Sequence, residues 1–562
     1  MLQVKNTYIA VKEESTPYTM IAPTNSDFIL ADADYTFEHG YEEVERNAIN
    51  GSLDGLEKLR GMITGAVSLT VEMRGSGTRK TIPEIDPLLR ACFSTATNPL
   101  SAADKTVQGN AALLEIDATP GDTTFTVLHA HGKQWFKSGD VLLVDISGDA
   151  SGTYEQATID SVTYDPLAPG DEVTLTAALS TTPTAGNAVQ LINRVIVATT
   201  TAFTVEDVVK FDIDQTGLSP SYEYAEVSAV ATSDTAGVGV VCTFTNATEK
   251  VNKAGHLLSN GDKIMFSDDG VGGALPAELN DYTVYYIVNK GTDDFEVSLT
   301  SGGAAVSFTD DGTGTNSYHV LSATDHELYL TPYLSAEPLH GNDVLGGLTY
   351  KLADSGQITL SVHIFLDCVG QDGIWYRFVG CRPNMSLVGV ETGQIPKLKF
   401  DLDPTSWTVL HTGSSLTTLG LTPAPDETEP PLCLGCTVSL EQDRDALHTQ
   451  MIEMDLGLSI TKRKSMIPSS GFRSSAYTMR ATTGTIDFDL DDDAQYLAWD
   501  ARTAAPLLAL FGQTDGKYIV LCVPHLKRTN VAPKDIDGIW GQDVAWEARK
   551  TSGLSPVVLG FF

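Results

Sequence analysis

What this sequence has little of narrows the field first. Basic residues are scarce: 36 Lys and Arg stand against 73 Asp and Glu, a formal net charge of −37 with His neutral. Such a chain repels phosphate backbones and anionic membranes, because each cationic contact works against a net repulsive field. Tight DNA binding is therefore not expected, whereas an acidic surface that DNA slides past fits. Cysteines number seven, an odd count for a full disulfide set: Cys92, Cys242, Cys368, Cys381, Cys433, Cys436 and Cys522. Most sit in apolar, strand-like runs where Cys acts as a small hydrophobe, so a reducing compartment is expected. No apolar run is long enough to span a bilayer, and the start Met1-Leu2-Gln3-Val4-Lys5-Asn6 lacks a signal-peptide core. A soluble chain made in the cytoplasm, with no membrane partner, is the expectation. Nucleophile elbow, phosphate-cradling glycine loop and HExxH are all missing, so no enzyme and no catalytic residue are expected.

Two clusters that resemble metal sites fall short on spacing. Cys433-Leu434-Gly435-Cys436 has only His448 nearby, where zinc needs two more ligands; it reads as small hydrophobes opening a strand. Asp487, Asp489, Asp491, Asp492 and Asp493 would need Gly at the sixth and Glu at the twelfth place of a calcium loop, and Asp492 and Ala498 stand there. No metal or cofactor is expected.

What is present points to strands. Charged residues are only 19% against 42% hydrophobic, while Thr, Ser, Gly and Val abound. A length of 562 residues implies about three to four domains. Val67, Leu69, Val71 and Met73 alternate with Ser68, Thr70, Glu72 and Arg74, a half-buried strand. After the turn at Gly75 to Gly77, Ile85, Leu88, Leu89 and Cys92 mark one helix face, with Asp86 as N-cap before Pro87.

The same order recurs near the C-terminus. Ile486, Phe488 and Leu490 alternate with Asp487, Asp489 and Asp491, starting after Gly484 as the first strand starts after Gly65. Ala494, Leu497, Ala498 and Ala501 then give a second helix face. A hairpin at Gly370-Gln371-Asp372-Gly373 has a partner at Gly512-Gln513-Thr514-Asp515-Gly516, where Asp-Gly supplies the positive φ of a tight reversal. Closing strands follow Gly393-Gln394 and Gly541-Gln542. Four features in one order read as a duplication.

Between the first helix and the first hairpin lie roughly 250 residues, far more than an unstructured loop holds. They read as two small β-domains, one with Phe136-Lys137-Ser138-Gly139-Asp140 and one with Leu258-Ser259-Asn260-Gly261-Asp262, each before a strand. His129 and His131 beside Trp135 read as a loop, and Tyr285-Tyr286 as packing. The expected division is 1–102 and 322–415 for the first module, 103–214 and 232–321 for inserted β-domains, 215–231 as connector, 416–432 as a proline-rich linker and 433–562 for the second module.

At this point the chain resembles the major tail tube proteins of long-tailed, non-contractile bacteriophages. The resemblance rests on Tyr350 to Pro404, with Thr359-Leu360-Ser361-Val362, Gly380-Cys381-Arg382, Ser386-Leu387 and Gly393-Gln394-Ile395-Pro396, and on Gly51 to Cys92. It implies a mainly β fold: two tandem β-sandwich modules, each with a flanking helix, plus the two insertions. It implies a self-assembling virion protein of the phage tail, present in host cytoplasm during assembly, whose rings stack into the conduit for DNA ejection. Hexameric rings of single modules are usual there, so two modules per chain imply a trimer with pseudo-sixfold symmetry. The implied partners are other copies, a tape-measure protein, tail terminator and distal tail proteins, and DNA that passes without specific binding. Two other classes compete: a carbohydrate-binding or adhesin-type β-protein, and a distal tail ring component.

Candidate contact residues follow. The loops 47–64 and 466–483 precede equivalent strands and are expected to carry subunit or ring-stacking contacts, with Glu45, Asp54, Glu57, Lys58 and Arg60 in and beside the first. Lys462-Arg463-Lys464 is a solvated turn or a site for an acidic neighbour. Asp487, Asp489 and Asp491 form one solvent-facing strand side, which a lumen wall or an outer face satisfies equally.

Overall fold

The computed structural model describes residues 6–46, 56–93, 105–106, 112–114, 123–128, 136–146, 154–164, 170–180, 188–197, 203–213, 222–236, 240–267, 274–279, 284–336, 338, 343–354, 356–368, 373–411, 413, 415–440, 447–490, 493–512, 517–536, 538–550 and 555–562. Among them are two α-helices; nearly all other regular structure is strand, so the chain is mainly β. It divides into two compact units. Unit 1 holds 1–102, 206–208 and 346–562; unit 2 holds 103–205 and 209–345.

Unit 1 begins with β1 (Thr7–Glu13), β2 (Phe28–Ile29), β3 (Thr36–Val44), β4 (Leu59–Glu72) and α1 (Asp86–Phe93). It resumes with β5 (Leu348–Lys351), β6 (Leu360–Leu366), β7 (Ile374–Glu391), β8 (Lys397–Asp403) and β9 (Ser406–Leu410). Then come β10 (Thr437–Ser439), β11 (Thr449–Asp455), β12 (Leu458–Lys464), β13 (Phe472–Arg480), β14 (Thr483–Asp489), α2 (Ala494–Asp500), β15 (Ala504–Phe511), β16 (Ile519–Ile536), β17 (Ile539–Ala548) and β18 (Val558–Phe561). One antiparallel run orders eight of these strands as β3-β4-β8-β7-β11-β14-β17-β16.

The alternation that marks β4 as a strand also directs its packing. Val67, Leu69 and Val71 are buried against Leu398, Phe400 and Leu402 of β8, in a core that α1 closes with Leu88, Leu89, Cys92 and Phe93. Ile486 and Phe488 of β14, Val544 and Trp546 of β17 and Leu507 and Phe511 of β15 continue the same core. At roughly 1.5–3 kcal/mol per buried side chain of this size, this continuous core dominates the stability of unit 1.

The strand arrangement occurs twice, and the two hairpins share one irregularity. Hairpin β6–β7 shifts register between Leu360 and Val362, opposite Cys381 and Phe378. Hairpin β15–β16 shifts between Ala505 and Leu507, opposite Leu526 and Val523, at the same distance from its turn. Cross-strand rows then match: Phe400 faces Leu69, and Val544 faces Ile486. That register corrects two sequence alignments. Leu69 answers Ile486, so Gly484 stands at the place of Val67 and not of Gly65. Gly541-Gln542 lies inside β17, whereas Gly393-Gln394 lies at the turn into β8. The reason for the first is steric: Gly484 is directly opposite Trp546, whose indole fills the space a Cβ would take, where the first copy pairs Val67 with Leu402.

The second helix departs from expectation. Ala494, Leu497, Ala498 and Ala501 are not its buried face, for Leu497 is 61% exposed. Gln495 is turned inward instead, accepting a hydrogen bond from buried Arg528 at 2.7 Å, because a buried guanidinium must be paired. The expected linker is also not a free tether: Thr422 N–H donates to Asn25 and Asp426 N–H to Glu84, and Leu416, Leu419 and Leu421 pack with Phe28 and Trp375.

Glu14 ties the N-terminal segment to the bend of β7. Its buried carboxylate accepts from Gly380 N–H and Tyr18 N–H at 2.7 Å each, Thr359 Oγ1 at 2.7 Å and Ser361 Oγ at 3.0 Å. Gly380 sits at φ +65°, with no room for a Cβ beside Thr405 and Tyr18.

Unit 2 contains a closed six-stranded barrel, ordered 170–175, 124–128, 112–114, 188–191, 141–145 and 154–164. A second sheet is built around Tyr222–Ala236 and Asn316–Thr331, which pair from Glu226–Thr331 to Ala236–Leu321. The expected connector 215–231 thus runs into a long strand, and the boundary at 322 falls within another; their Val, Ala, Thr and Tyr content favours pairing over a linker. The two Gly-Asp motifs form one turn. Asp140 and Asp262 carboxylates accept from Lys137 and Ser259 N–H at 2.8 and 2.7 Å, and Gly139 and Gly261 take φ +89° and +93°. Gly139 donates to Ile159 O, Gly261 to Ile287 O, at 2.8 and 2.9 Å. Tyr285 is buried against Phe266, while His129, His131 and Trp135 lie outside the described residues.

Two outcomes test this packing. Gly484→Ala is expected to lower unfolding stability by about 1–3 kcal/mol, because the methyl meets both the Trp546 indole and the Glu453 carbonyl; chemical denaturation measures it. His363 is fully buried between Phe365 and Trp375, with Nε2 against Ile21 O at 2.9 Å, and burial lowers its pKa to about 4. A depressed folded pKa means its stabilisation is complete above pH 6.5 and is lost as pH falls toward 4. The loss is roughly 3 kcal/mol, and His363→Phe is expected to remove that slope from denaturant titrations.

Candidate assembly interface

Inside unit 1, β7 of the first strand set meets β11 of the second. Ser386 faces Asp455, Leu387 faces Met454, and after a shift Val390 and Glu391 face Ile452 and Met451. Beyond β11 the chain kinks at Gly457 (φ +61°) and runs out as the hairpin β12–β13. This arm lies across the first set. Tyr477 Oη donates to Pro383 O at 2.7 Å and reaches Ala91 O at 3.1 Å, at the end of α1. Arg382 stacks on the Tyr477 ring, 5.2 Å to its centre, and donates to Ser475 O at 3.2 Å. Tyr18 Oη and Ser475 exchange two hydrogen bonds, and Ile63 N–H donates to Ser470 O at 3.2 Å. Burial pushes the Tyr477 phenol well up, so it stays a donor.

The two ends of the eight-strand run lack what this junction supplies. Among the described residues β3 pairs only with β4, and the outer half of β16, from Arg528 onward, only with β17. Each occupies the place that β11 and β7 occupy inside the chain. The edges differ in charge: β3 carries exposed Glu38, Glu42 and Glu43, while β16 carries Lys527, Arg528 and Lys534.

The expected loops 47–64 and 466–483 are largely strand, because β4 starts at Leu59 and β13 fills 472–480. They are the outer parts of two arms. In the first, Lys58 pairs with Glu43 at 2.9 Å and Glu45 at 3.5 Å, and Arg60 lies 5.1 Å over the Tyr41 ring. These pairs are solvent-exposed and screened by water, so they add little to stability. Glu57 is exposed near the arm's end; Asp54 lies outside the described residues. In the second arm Lys462 forms an ion pair with Asp403 and lies 5.2 Å from the Phe472 ring, while Arg463 and Lys464 are exposed. Lys462 thus serves a contact within the chain.

The face of the run opposite the core is acidic. Asp487 and Asp489 of β14 lie on it with Glu453, Asp455, Asp401 and Asp543; Asp491 lies outside the described residues. Asp487 is not a plain solvent-facing acid, being 4% exposed. Directly opposite stands Asp543, and Lys534 forms an ion pair with Asp487 between them. Burial, then the Asp487 charge, raises the Asp543 carboxyl.

Cys433 and Cys436 are half-buried and hydrogen-bonded to each other, which draws Cys436 down to about 7 and pushes Cys433 up. Both pack against the common core just before β10, as small hydrophobes opening a strand, and Cys433 bonds the Gly393-Gln394 turn through both backbone groups. Sequence reasoning missed Glu14, Asn384 and Tyr477. Matching the two hairpins residue by residue does not bring Asn384 forward, because the second carries one extra residue at the shift between Arg528 and Asn530.

Removing Lys534 tests the acidic face. Lys534→Met leaves Asp487 and Asp543 facing each other, with an expected loss of about 1–3 kcal/mol at neutral pH. The deficit is expected to shrink as acidification protonates Asp543, whose carboxyl is raised, measured by urea denaturation from pH 7 to 4. No protein-family model matches the chain, and no curated protein does.

Proposed function

We propose that this chain is a structural subunit of a bacteriophage tail tube, associating head to tail into closed rings that stack around a DNA conduit. One observation carries the reading: the β7–β11 junction within the chain has both halves repeated at the two ends of the eight-strand run, each with one edge open among the described residues. An interface between two different patches is heterologous, and repeating it closes a ring or winds a helix. Closure also removes exposed edges that otherwise template aggregation. In this reading the two strand sets are tandem tube-type modules, and unit 2 is built from insertions into the first.

The stoichiometry follows from the repeat. If each module fills one of six positions, three chains complete a ring with pseudo-sixfold symmetry. The acidic sheet face lines the lumen, where phosphates are repelled and DNA passes without binding. A tape-measure protein, tail terminator and distal tail proteins are the further partners this role requires.

Electron microscopy and mass measurement of the purified protein test the proposal together. Rings or tubes with an axial hole, at the mass of three chains per ring, are the expected outcome. Six chains per ring would overturn the stoichiometry, and discrete monomers that bind glycans would overturn the function.

A further inference from the structure

We infer that Asn530 sets the register between copies by clamping the base of the β3–β4 arm of a second copy, an assignment that rests on the ring reading. The template is inside the chain. Asn384 of β7 donates from Nδ2 to Asp455 at 2.8 Å and accepts the Leu458 N–H at 2.8 Å. Asp455 in turn accepts from Gly457 N–H at 2.8 Å. One amide therefore fixes the acidic end of β11, the glycine kink and the first residue of the arm. Main-chain pairing alone permits slippage by two residues without changing which face is buried; a side-chain clamp with one donor and one acceptor site does not.

The cross-strand rows put Asn530 in the same place. Asn384 faces Asp401, Asp401 faces Ser68 and Ser68 faces Thr36. Asn530 faces Ala545, Ala545 faces Thr485 and Thr485 faces Glu453. Asn530 is one residue further from its hairpin than Asn384, and the shift between Arg528 and Asn530 takes up that residue. Continuing from Thr36 and Glu453 along β3 and β11, Glu38 answers Asp455, Gly40 answers Gly457 and Tyr41 answers Leu458. The backbone partners agree: Gly40 faces Thr64, and Gly457 O accepts from Ala481 N–H, four residues before Ser68 and Thr485 respectively.

Asn530, Glu38 and Tyr41 are all exposed in the single chain. In the assembled ring Asn530 Nδ2 donates to the Glu38 carboxylate of the next copy, and its Oδ1 accepts the Tyr41 N–H. Glu38 is one methylene longer than Asp455 and reaches the amide from the same strand position.

Asn530→Asp tests the clamp in the full chain, because it turns the donor into a second carboxylate facing Glu38. The expected result is an assembly concentration raised at least tenfold in sedimentation velocity, with the monomer's thermal midpoint unchanged. Adding Glu38→Gln, which restores one donor to the pair, is expected to recover assembly. Wild-type assembly by the Asn530→Asp variant would overturn the clamp and leave the ring reading intact. A wild-type chain that forms no rings would overturn both.

Discussion

Unit 1 is organised by the requirement that every strand edge find a partner. The β7–β11 ladder meets it in the middle of the chain and thereby joins two strand sets into one sheet. Because β7 and β11 also bury Leu387, Met454 and Ile452 in the common core, the junction is part of the hydrophobic interior and not a surface contact. The arm β12–β13 follows from it: once β11 is held, the kink at Gly457 sends the chain across α1, where Tyr477 and Arg382 fix it. Remove that ladder, and the two sets have no reason to share a core.

Asymmetry between the two sets carries the functional reading. Helix α1 is covered: Leu88, Leu89, Ala91, Cys92 and Phe93 are inaccessible, and the second arm closes over its end. Helix α2 holds Leu497 and Trp499 in solvent, and the first arm extends Tyr41, Val44 and Leu59 there as well. An isolated subunit built from two equivalent halves has one interface satisfied and one open. Apolar groups thus stand exposed beside both open edges, as the proposed ring subunit requires.

The acidic face illustrates how charge is accommodated before any assembly. Asp487 and Asp543 are adjacent like charges, tolerated because Lys534 stands between them. Lys397 pairs with Asp32 and Lys399 with Asp401 in the same way on β8. Each of these three lysines is tied to an acid, and the face stays net negative.

The sequence by itself determined strand and helix identity wherever period and turn chemistry agreed, as in Val67 to Met73 and in both hairpins. It also carried the repeat, because duplicated turns leave duplicated Gly and Asp residues. Register was beyond it: Gly484 matches Gly65 by position but Val67 by ladder, where the Trp546 indole and the Glu453 carbonyl leave no room for a Cβ. Nor does alternation tell which acid is solvated, because Asp487 is buried by a lysine from two strands away. Tertiary structure alone decided that Asn384 and Asn530 are the same position, for that identity is a fact of hydrogen-bonded rows across four strands. Strand pairing is non-local, and the residues that fix it lie up to hundreds of positions apart in the chain.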